Sequence, residues 1–398
     1  MTTDTDTETT TVVIVGAGVA GLTLGNLLLR KGIDCVILEK RDRAYVEQRQ
    51  RAGALDTRAS RMFREWGLAD RVIGGVPLQP VLNFRIDGET RPLALVRDDG
   101  DGGGRFCPQQ VLVRNLIDVF IEDGGDLRFG AADVSFENIA DGPSPLVRYR
   151  DGTGSAKAIR CDFVAGCDGD RGVSRTAVPD GTLTRHAHAY GYAWLTVLAE
   201  VPARHQTMMA LHPRGFAGQF GRGPHASRFY LQCPPDSTLP EWPEERIWDE
   251  LETRFGEPMA ARGPISSAQL VPLRGVVHEP MSHGRLYLLG DAAHIVPPMS
   301  AKGMNLALYD AEVFANAVVR HQTEDGDTSL LDAYSPTCLR NVWNYQAFAA
   351  WWTDLVHNAG DASYQGEFRH RIARAEFARL YESGTANRLL SEFMAGLN

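Results

Sequence analysis

The stretch that most constrains this chain is TVVIVGAGVAGLTLGNLLLRKGIDCVILEK, residues 11–40. An apolar strand at 12–15 runs into Gly16-x-Gly18-x-x-Gly21; a helical pattern follows, and a second apolar strand at 34–38 ends at Glu39. In a strand–turn–helix of this kind Gly16 permits the tight turn. Gly18 lets a pyrophosphate approach the backbone, and Gly21 lets helix and strand pack closely. The phosphates then meet the free N–H groups and the positive end of the helix. Glu39 lies eighteen residues past Gly21, the separation at which an acid grips a ribose hydroxyl. A carboxylate there favours an unphosphorylated adenosine ribose, hence FAD or NAD.

The 398 residues suffice for two domains, or for one large domain with a subdomain. With 43% apolar and 23% charged residues the chain reads as an ordinary globular protein. A net charge of -9 with no long basic run argues against a nucleic-acid partner. No apolar run approaches membrane-spanning length. The acidic MTTDTDTETT, residues 1–10, reads as a disordered tail rather than a signal or transit peptide, so a cytoplasmic location is expected. Cys35, Cys107, Cys161, Cys167, Cys233 and Cys338 contain no C-x-x-C pair and read as reduced, buried thiols. His186 and His188 share a strand face without a third ligand, and DDGDGGG (98–104) lacks the closing glutamate of a calcium loop, so no metal is expected.

Two later stretches separate FAD from NAD. CDFVAGCDGDRGVSR (161–175) is a strand ending in Asp168-Gly169, and YLLGDAAH (287–294) is a strand ending in Gly290-Asp291. In this order, after the opening fingerprint, they resemble the group A flavoprotein aromatic hydroxylases. RAYVEQRQRAG, HPRGFA, SRFYLQ, PLRGVVHEPMSHGRLYLLGDAAHIVPP and AKGMNLA bring the resemblance close to the 4-hydroxybenzoate 3-hydroxylase family, over about residues 12 to 357. The resemblance implies that FAD is held by Gly16, Gly18, Gly21, Glu39, Lys40, Arg49 and Arg51. Further contacts come from Gln109, Asp168, Gly290 and Asp291, and from Gly303, Met304 and Asn305 at the start of a helix. That helix aims its positive end at the flavin, which suits an anionic reduced ring.

The expected fold class is α/β: a Rossmann-like FAD-binding domain with a parallel sheet, an antiparallel-sheet substrate domain and a helical C-terminal region. The first takes residues 11–75, 103–180 and 271–325. The second takes 76–102 and 181–270, and the helical region 326–398. Trp343, Trp351 and Trp352 in that last region read as core or homodimer packing. No second G-x-G-x-x-G unit exists for a nicotinamide nucleotide. The resemblance instead implies transient binding of NADPH through Lys40, Arg41, Tyr45, Arg49 and Arg274, whose guanidinium groups suit a 2′-phosphate.

The implied chemistry is reduction of FAD by NADPH, addition of O2 as a flavin C4a-hydroperoxide, and its attack by an electron-rich ring. The ring belongs to a small aromatic carboxylic acid. The resemblance places Pro298, Arg222, Tyr230, Met209 and Phe393 at the reacting ring, with Trp194, Phe220 and Met299 as further substrate contacts and Arg228 nearby. The chain departs from the family at the residues that handle the phenol. A carboxylate-binding serine is Phe220; the tyrosine that takes the phenol proton is Met209; its relay partner is Phe393, and the histidine at the solvent end is Gln79. Methionine and phenylalanine can neither accept nor relay a proton. An aromatic amine activates a ring without ionising, so an aminohydroxybenzoate such as 3-amino-4-hydroxybenzoate is expected, with 4-hydroxybenzoate as the alternative.

Overall fold

The computed structural model describes residues 7–48, 53–78, 81–86, 88–95, 104–140, 142, 144–203, 207–259, 261–357 and 367–396. The chain divides into two compact units. One comprises Met1–Pro77, Asp101–Ala187 and Gly275–Gln346, the other Leu78–Gly100, His188–Arg274 and Ala347–Asn398.

The first unit opens with β1 (Glu8–Val15), α1 (Val19–Arg30), β2 (Cys35–Glu39), α2 (Arg43–Gln48), α3 (Thr57–Glu65) and α4 (Ala69–Ile73). After the excursion into the second unit come α5 (Gln109–Glu122), β5 (Asp126–Phe129), β6 (Ala132–Glu137), β7 (Leu146–Arg150) and β8 (Ala156–Gly166). β14 (Ser282–His283), β15 (Leu286–Leu288), β16 (His294–Ile295), α7 (Gly303–Thr323) and α8 (Ser329–Asp332) complete it. The sheet order is β14-β15-β8-β1-β2-β5, parallel from β15 to β5, with β7 antiparallel to β8 and β6 antiparallel to β7. Val12 to Val15 and Val36 to Leu38 are buried throughout, as a parallel strand covered on both faces requires. α1 packs against α5 and α7, and Asn26 Nδ2 fastens it by donating to the Leu116 carbonyl at 3.0 Å.

β1 begins earlier than the acidic tail suggests. Glu8, Thr9 and Thr10 already ladder with Ile159, Arg160 and Cys161, and Arg128 forms an ion pair with Glu8. Backbone pairing therefore overrides the polar composition there. All six thiols are buried and unpaired. Among the described residues no helix is long and apolar enough to cross a membrane.

The second unit is built on β3 (Leu82–Ile86), β4 (Glu89–Leu93), β9 (Thr184–Ala199), β10 (Thr207–Leu211), β11 (Ala217–Gly221), β12 (Ser227–Cys233) and β13 (Ile265–Glu279). Its strands are ordered β13-β9-β12-β11-β10-β3-β4. The sheet is not wholly antiparallel as expected: β3 and β10 run parallel, Met209 beside Phe84. They come from segments more than a hundred residues apart, so no hairpin dictates their direction. α6 (Glu244–Phe255) covers one sheet face with Trp248, Leu251 and Phe255 packed on Leu195, Val197, Phe229 and Leu231.

The C-terminal helices are α9 (Tyr334–Val356), α10 (Arg369–Glu382) and α11 (Gly384–Ala395). The C-terminal region is helical as expected, and the division between the two units falls within α9, between Gln346 and Ala347. In the second unit Phe84 packs against Trp352 at 5.8 Å and Phe377 at 4.9 Å between ring centroids. Trp352 is thus core, whereas Trp343 is exposed, with its indole N–H donated to Glu279.

Candidate functional site

The glycines of the first turn divide by what their missing side chains protect. Gly16 has φ of +107°, and a Cβ on it would lie 2.5 Å from the Cys167 carbonyl oxygen. A Cβ on Gly21 would lie 2.0 Å from the Gly16 oxygen. Both are required by the chain's own packing. Gly18 differs: a Cβ there meets nothing within 4 Å. It is the N-cap of α1 and offers no side chain to the helix's first N–H groups, which are left for an outside acceptor. A cradle open at Gly18 and closed behind it fits the pyrophosphate of a dinucleotide.

Glu39 stands at the end of β2 and shapes this cradle. Its Oε2 accepts from the Ala17 N–H at 2.9 Å, and its Oε1 accepts from the Arg41 N–H at 2.8 Å. Each carboxylate oxygen keeps a lone pair for a ribose hydroxyl. Glu39→Ala is therefore expected to weaken FAD retention by about 1.5–3 kcal/mol for each charge-assisted bond lost, read by fluorescence titration of apoprotein with FAD. Beyond it, Lys40, Arg41 and Tyr45 are exposed, and the Arg41 guanidinium lies 4.9 Å from the Tyr45 ring centroid. Arg43 is engaged by Glu47 and Asp118. Arg49, Arg51 and Gln79 lie outside the described residues.

Asp168, at the end of β8, accepts from the Ser174 N–H and hydroxyl through Oδ2, at 2.8 and 3.0 Å. Its Oδ1 is buried with no hydrogen-bond partner, the kind of orphan that marks a ligand contact. Burial raises its pKa above the usual carboxylate range, opposed by the Ser174 bonds. Gln109 opens α5, half-buried, and a Cβ on Gly53 would come within 2.9 Å of its backbone nitrogen.

Gly290 and Asp291 occupy a 3₁₀ turn after β15, with Gly290 at φ +61° and Asp291 half-buried. The Gly290 N–H donates to Asp310 Oδ2 at 2.9 Å, and the same oxygen takes the Nε2–H of His294 at 2.7 Å. Burial works against charging His294, yet the Asp310 carboxylate outweighs it and raises the imidazole pKa. A second turn, Pro298–Ser300, leaves Pro298 exposed and Met299 buried, and reaches α7 through Ala301 at φ +53°.

At the start of α7, Lys302 is 2% exposed and donates to Asp56 Oδ2 at 2.9 Å. Burial lowers its pKa, opposed by Asp56. The resemblance implies backbone donors here, and the Asn305 side chain is occupied within the protein. It donates to the Ala54 and Ala301 carbonyls and accepts from the Asp56 N–H, adding to the tie that Lys302 makes to Asp56. The helix still presents the backbone N–H groups of Gly303, Met304 and Asn305, which lack intrahelical partners by position.

The strand residues that the resemblance assigns to an aromatic acid fall on one face of the second unit's sheet. Met209, Gly218, Tyr230 and Thr196 are register partners across β10, β11, β12 and β9. Alternation then puts Phe220, Arg228 and Trp194 on that face, opposite the one under α6. Tyr230 is flanked by Trp194 at 4.7 Å and Phe220 at 5.4 Å between ring centroids. The Arg228 guanidinium is 6.0 Å from the same ring; its Nε is buried without a hydrogen-bond partner. Arg222, just past β11, is half-buried; burial lowers its pKa while Tyr230 raises it.

The other end of the face is apolar. Met209 is buried beside Phe84. From Phe84 an aromatic series runs through Trp352 and Phe348 to Phe393, whose ring stacks on Phe348 at 4.8 Å and 7°. Reasoning from sequence missed three buried polar groups: His357, the His294–Asp310 pair and the Lys302–Asp56 pair. Arg274 is half-buried on β13.

A cradle of this form, followed by strand-ending acids and a helix N-terminus, defines an FAD-binding protein of the α/β class. A family described as FAD binding domain matches residues 9–349. The p-hydroxybenzoate hydroxylase of Acinetobacter baylyi is 33% identical over 388 residues, covering 96% of this chain and 94% of that enzyme. A probable NADH-specific resorcinol 4-hydroxylase of Rhodococcus jostii is 27% identical, covering 80% of this chain and 60% of its own. Among solved structures, p-nitrophenol 4-monooxygenase from Pseudomonas putida superposes with a TM-score of 0.83 at 18% identity, covering 98% of this chain and 99% of that one. The chain belongs to the FAD-dependent group A aromatic hydroxylases.

Proposed function

We propose that this protein hydroxylates the ring of a small aromatic carboxylic acid, using NADPH and O2, and that the acid is an amino-substituted hydroxybenzoate. The preferred substrate is 3-amino-4-hydroxybenzoate, hydroxylated at C2 beside the carboxylate-bearing carbon. One observation carries the reading: a sheet face with two arginines and Tyr230 at one end and no proton acceptor at Met209 or Phe393. When bound, the reduced flavin supplies an electrophilic oxygen atom derived from O2. The overall change is ring C–H plus O2, NADPH and a proton to ring C–OH, water and NADP⁺.

The chain's residues orient and enclose. Arg222 and Tyr230 take the carboxylate, since a guanidinium and a phenol hydroxyl both donate to it. Phe220 removes a polar contact at that end and packs its ring edge against Tyr230. Met209 and the Phe84–Trp352 pair exclude water from the opposite end, which protects a reactive oxygen donor. Pro298 and Met299 shape the rigid turn before α7. For the reductant, the exposed Lys40 and the Arg41–Tyr45 stack support a phosphorylated nucleotide, hence NADPH.

Likeness to p-hydroxybenzoate hydroxylase at 33% identity supports a second substrate, 4-hydroxybenzoate itself. A panel of hydroxy- and aminobenzoates, scored by product as well as NADPH consumed, separates the two. An enzyme whose NADPH oxidation responds to none of them would instead be a non-catalytic flavin protein. Arg222→Ala is expected to raise the dissociation constant of the acid by about a hundredfold, within the 2–5 kcal/mol cost of truncating one partner of a buried charge pair. FAD content should stay at the wild-type level. Unchanged acid affinity, read from the flavin spectrum, would place the carboxylate elsewhere.

A further inference from the structure

His357 follows the last residue of α9 and lies 4% exposed within the second unit. Both ring nitrogens are bonded. The Trp194 indole N–H donates to Nε2 at 2.7 Å, and Nδ1 lies 2.8 Å from the Thr353 carbonyl oxygen. An indole N–H can only donate and a carbonyl can only accept. Nε2 must therefore be bare and Nδ1 must carry the proton. Only the neutral ring makes both bonds, and burial holds its pKa down to about 3.

The ring is also clamped by aromatic packing. Tyr192 stacks on it at 4.8 Å with planes 8° apart, and Phe216 lies at 4.9 Å. Trp194 lies edge to edge with His357, nearly coplanar, at 5.7 Å between centroids, and stacks on Phe216 at 5.6 Å. The indole then meets Tyr230 at 4.7 Å. Trp194 and Tyr230 share the face that carries Arg222 and Arg228, so an indole free to turn would leave Tyr230 without its wall.

We propose that His357 is a positioning residue for the aromatic acid: as a neutral acceptor it fixes the indole of Trp194, and through that indole the ring of Tyr230. This rests on the reading that the face binds an aromatic carboxylate. His357 acts through Trp194, and its effect is on affinity and orientation rather than on proton transfer.

The test uses FAD-loaded enzyme, with 3-amino-4-hydroxybenzoate and 4-hydroxybenzoate as probes titrated against the flavin absorbance. His357→Phe keeps a ring but loses the acceptor; His357→Gln keeps an acceptor; Trp194→Phe loses the donor. His357→Phe should weaken both probes about tenfold, equal to about 1.4 kcal/mol, with FAD retention unchanged, and His357→Gln should recover part of that loss. The Trp194→Phe, His357→Phe double variant should bind no worse than the weaker single variant, because both act through one bond. Solvent exchange of the Trp194 indole proton, followed by NMR of indole-labelled protein, gives a readout that needs no ligand. It should be slow in the wild type and His357→Gln and fast in His357→Phe. Equal exchange in wild type and His357→Phe overturns the proposal, as do wild-type affinities in His357→Phe or losses that multiply in the double variant. If His357→Phe does not fold, Trp194→Phe stands in for it: wild-type affinity there overturns the proposal, and a tenfold loss supports it. Wild-type enzyme that binds no aromatic acid defeats the functional reading and the positioning role together, while slow indole exchange would still separate that failure from an absent bond.

Discussion

Gly18→Leu is expected to give a protein that folds at the wild-type melting temperature in its apo form but retains no FAD, whereas Gly21→Ala should lose the fold of the first unit itself. The contrast follows from what surrounds each residue. Gly18 has extended backbone, φ -81° and ψ -174°, and a Cβ there faces open space. A leucine is therefore tolerated by the chain and intolerable only to a ligand lying against the backbone. At Gly21 even a methyl group would sit 2.0 Å from the Gly16 carbonyl oxygen and 3.0 Å from Ile14 Cγ2. The first of these is backbone, which cannot rotate aside, so α1 must move off β1. Overpacking of a tight core costs about 1–3 kcal/mol, and displacing the helix that packs on α5 and α7 exceeds that range. Apo melting temperature and flavin absorbance per chain give the two readouts. Gly18→Leu with full flavin content would mean that the phosphates do not lie at the α1 N-terminus.

The first turn was legible because its constraints are local. Strand, glycines, helix and Glu39 lie within thirty residues, and the residue types are dictated by backbone approach rather than by distant partners. The strand-ending Asp168 and Asp291 were legible from the apolar runs before them. Tertiary pairings were less so. Lys302 in AKGMN looks like a solvated lysine until Asp56, 246 residues away, is brought to it. His357 is 163 residues from the indole it accepts from, and nothing in the local pattern distinguishes it from a surface histidine. Asn305 was hidden in the same way: nothing local shows that its side-chain amide ties the start of α7 to the loop before α3. The parallel pairing of β3 with β10 was hidden for the same reason, since periodicity gives a strand's faces but not its neighbour.

The apolar end of the sheet face sets the second large effect. Native turnover should not require prior ionisation of a phenol, so the product-forming rate should vary little with pH across the phenol's titration. It should fall only at acid pH, where protonation removes the amine lone pair that activates the ring. With 4-hydroxybenzoate the outcome is different. The acid can still engage Arg222 and stimulate NADPH oxidation, but Met209 is buried against Phe84 and offers no oxygen or nitrogen to take the proton. A neutral phenol is a poor nucleophile, so most of the NADPH consumed should appear as hydrogen peroxide rather than hydroxylated product. Met209→Tyr with Phe393→Tyr should restore part of the coupling. The first variant supplies an acceptor on β10; the second adds a hydroxyl on α11, where Phe393 is only half-buried and closer to water. General base assistance of this kind contributes roughly 10²–10⁴-fold in rate, enough to change the fate of the oxygen donor. Product formed per NADPH, measured for both acids in wild type and double variant between pH 6 and 9, decides the matter. Equal and tight coupling of the wild type on both acids would show that a group other than Met209 or Phe393 accepts the phenol proton, and the preference for an amino-substituted ring would fall with it.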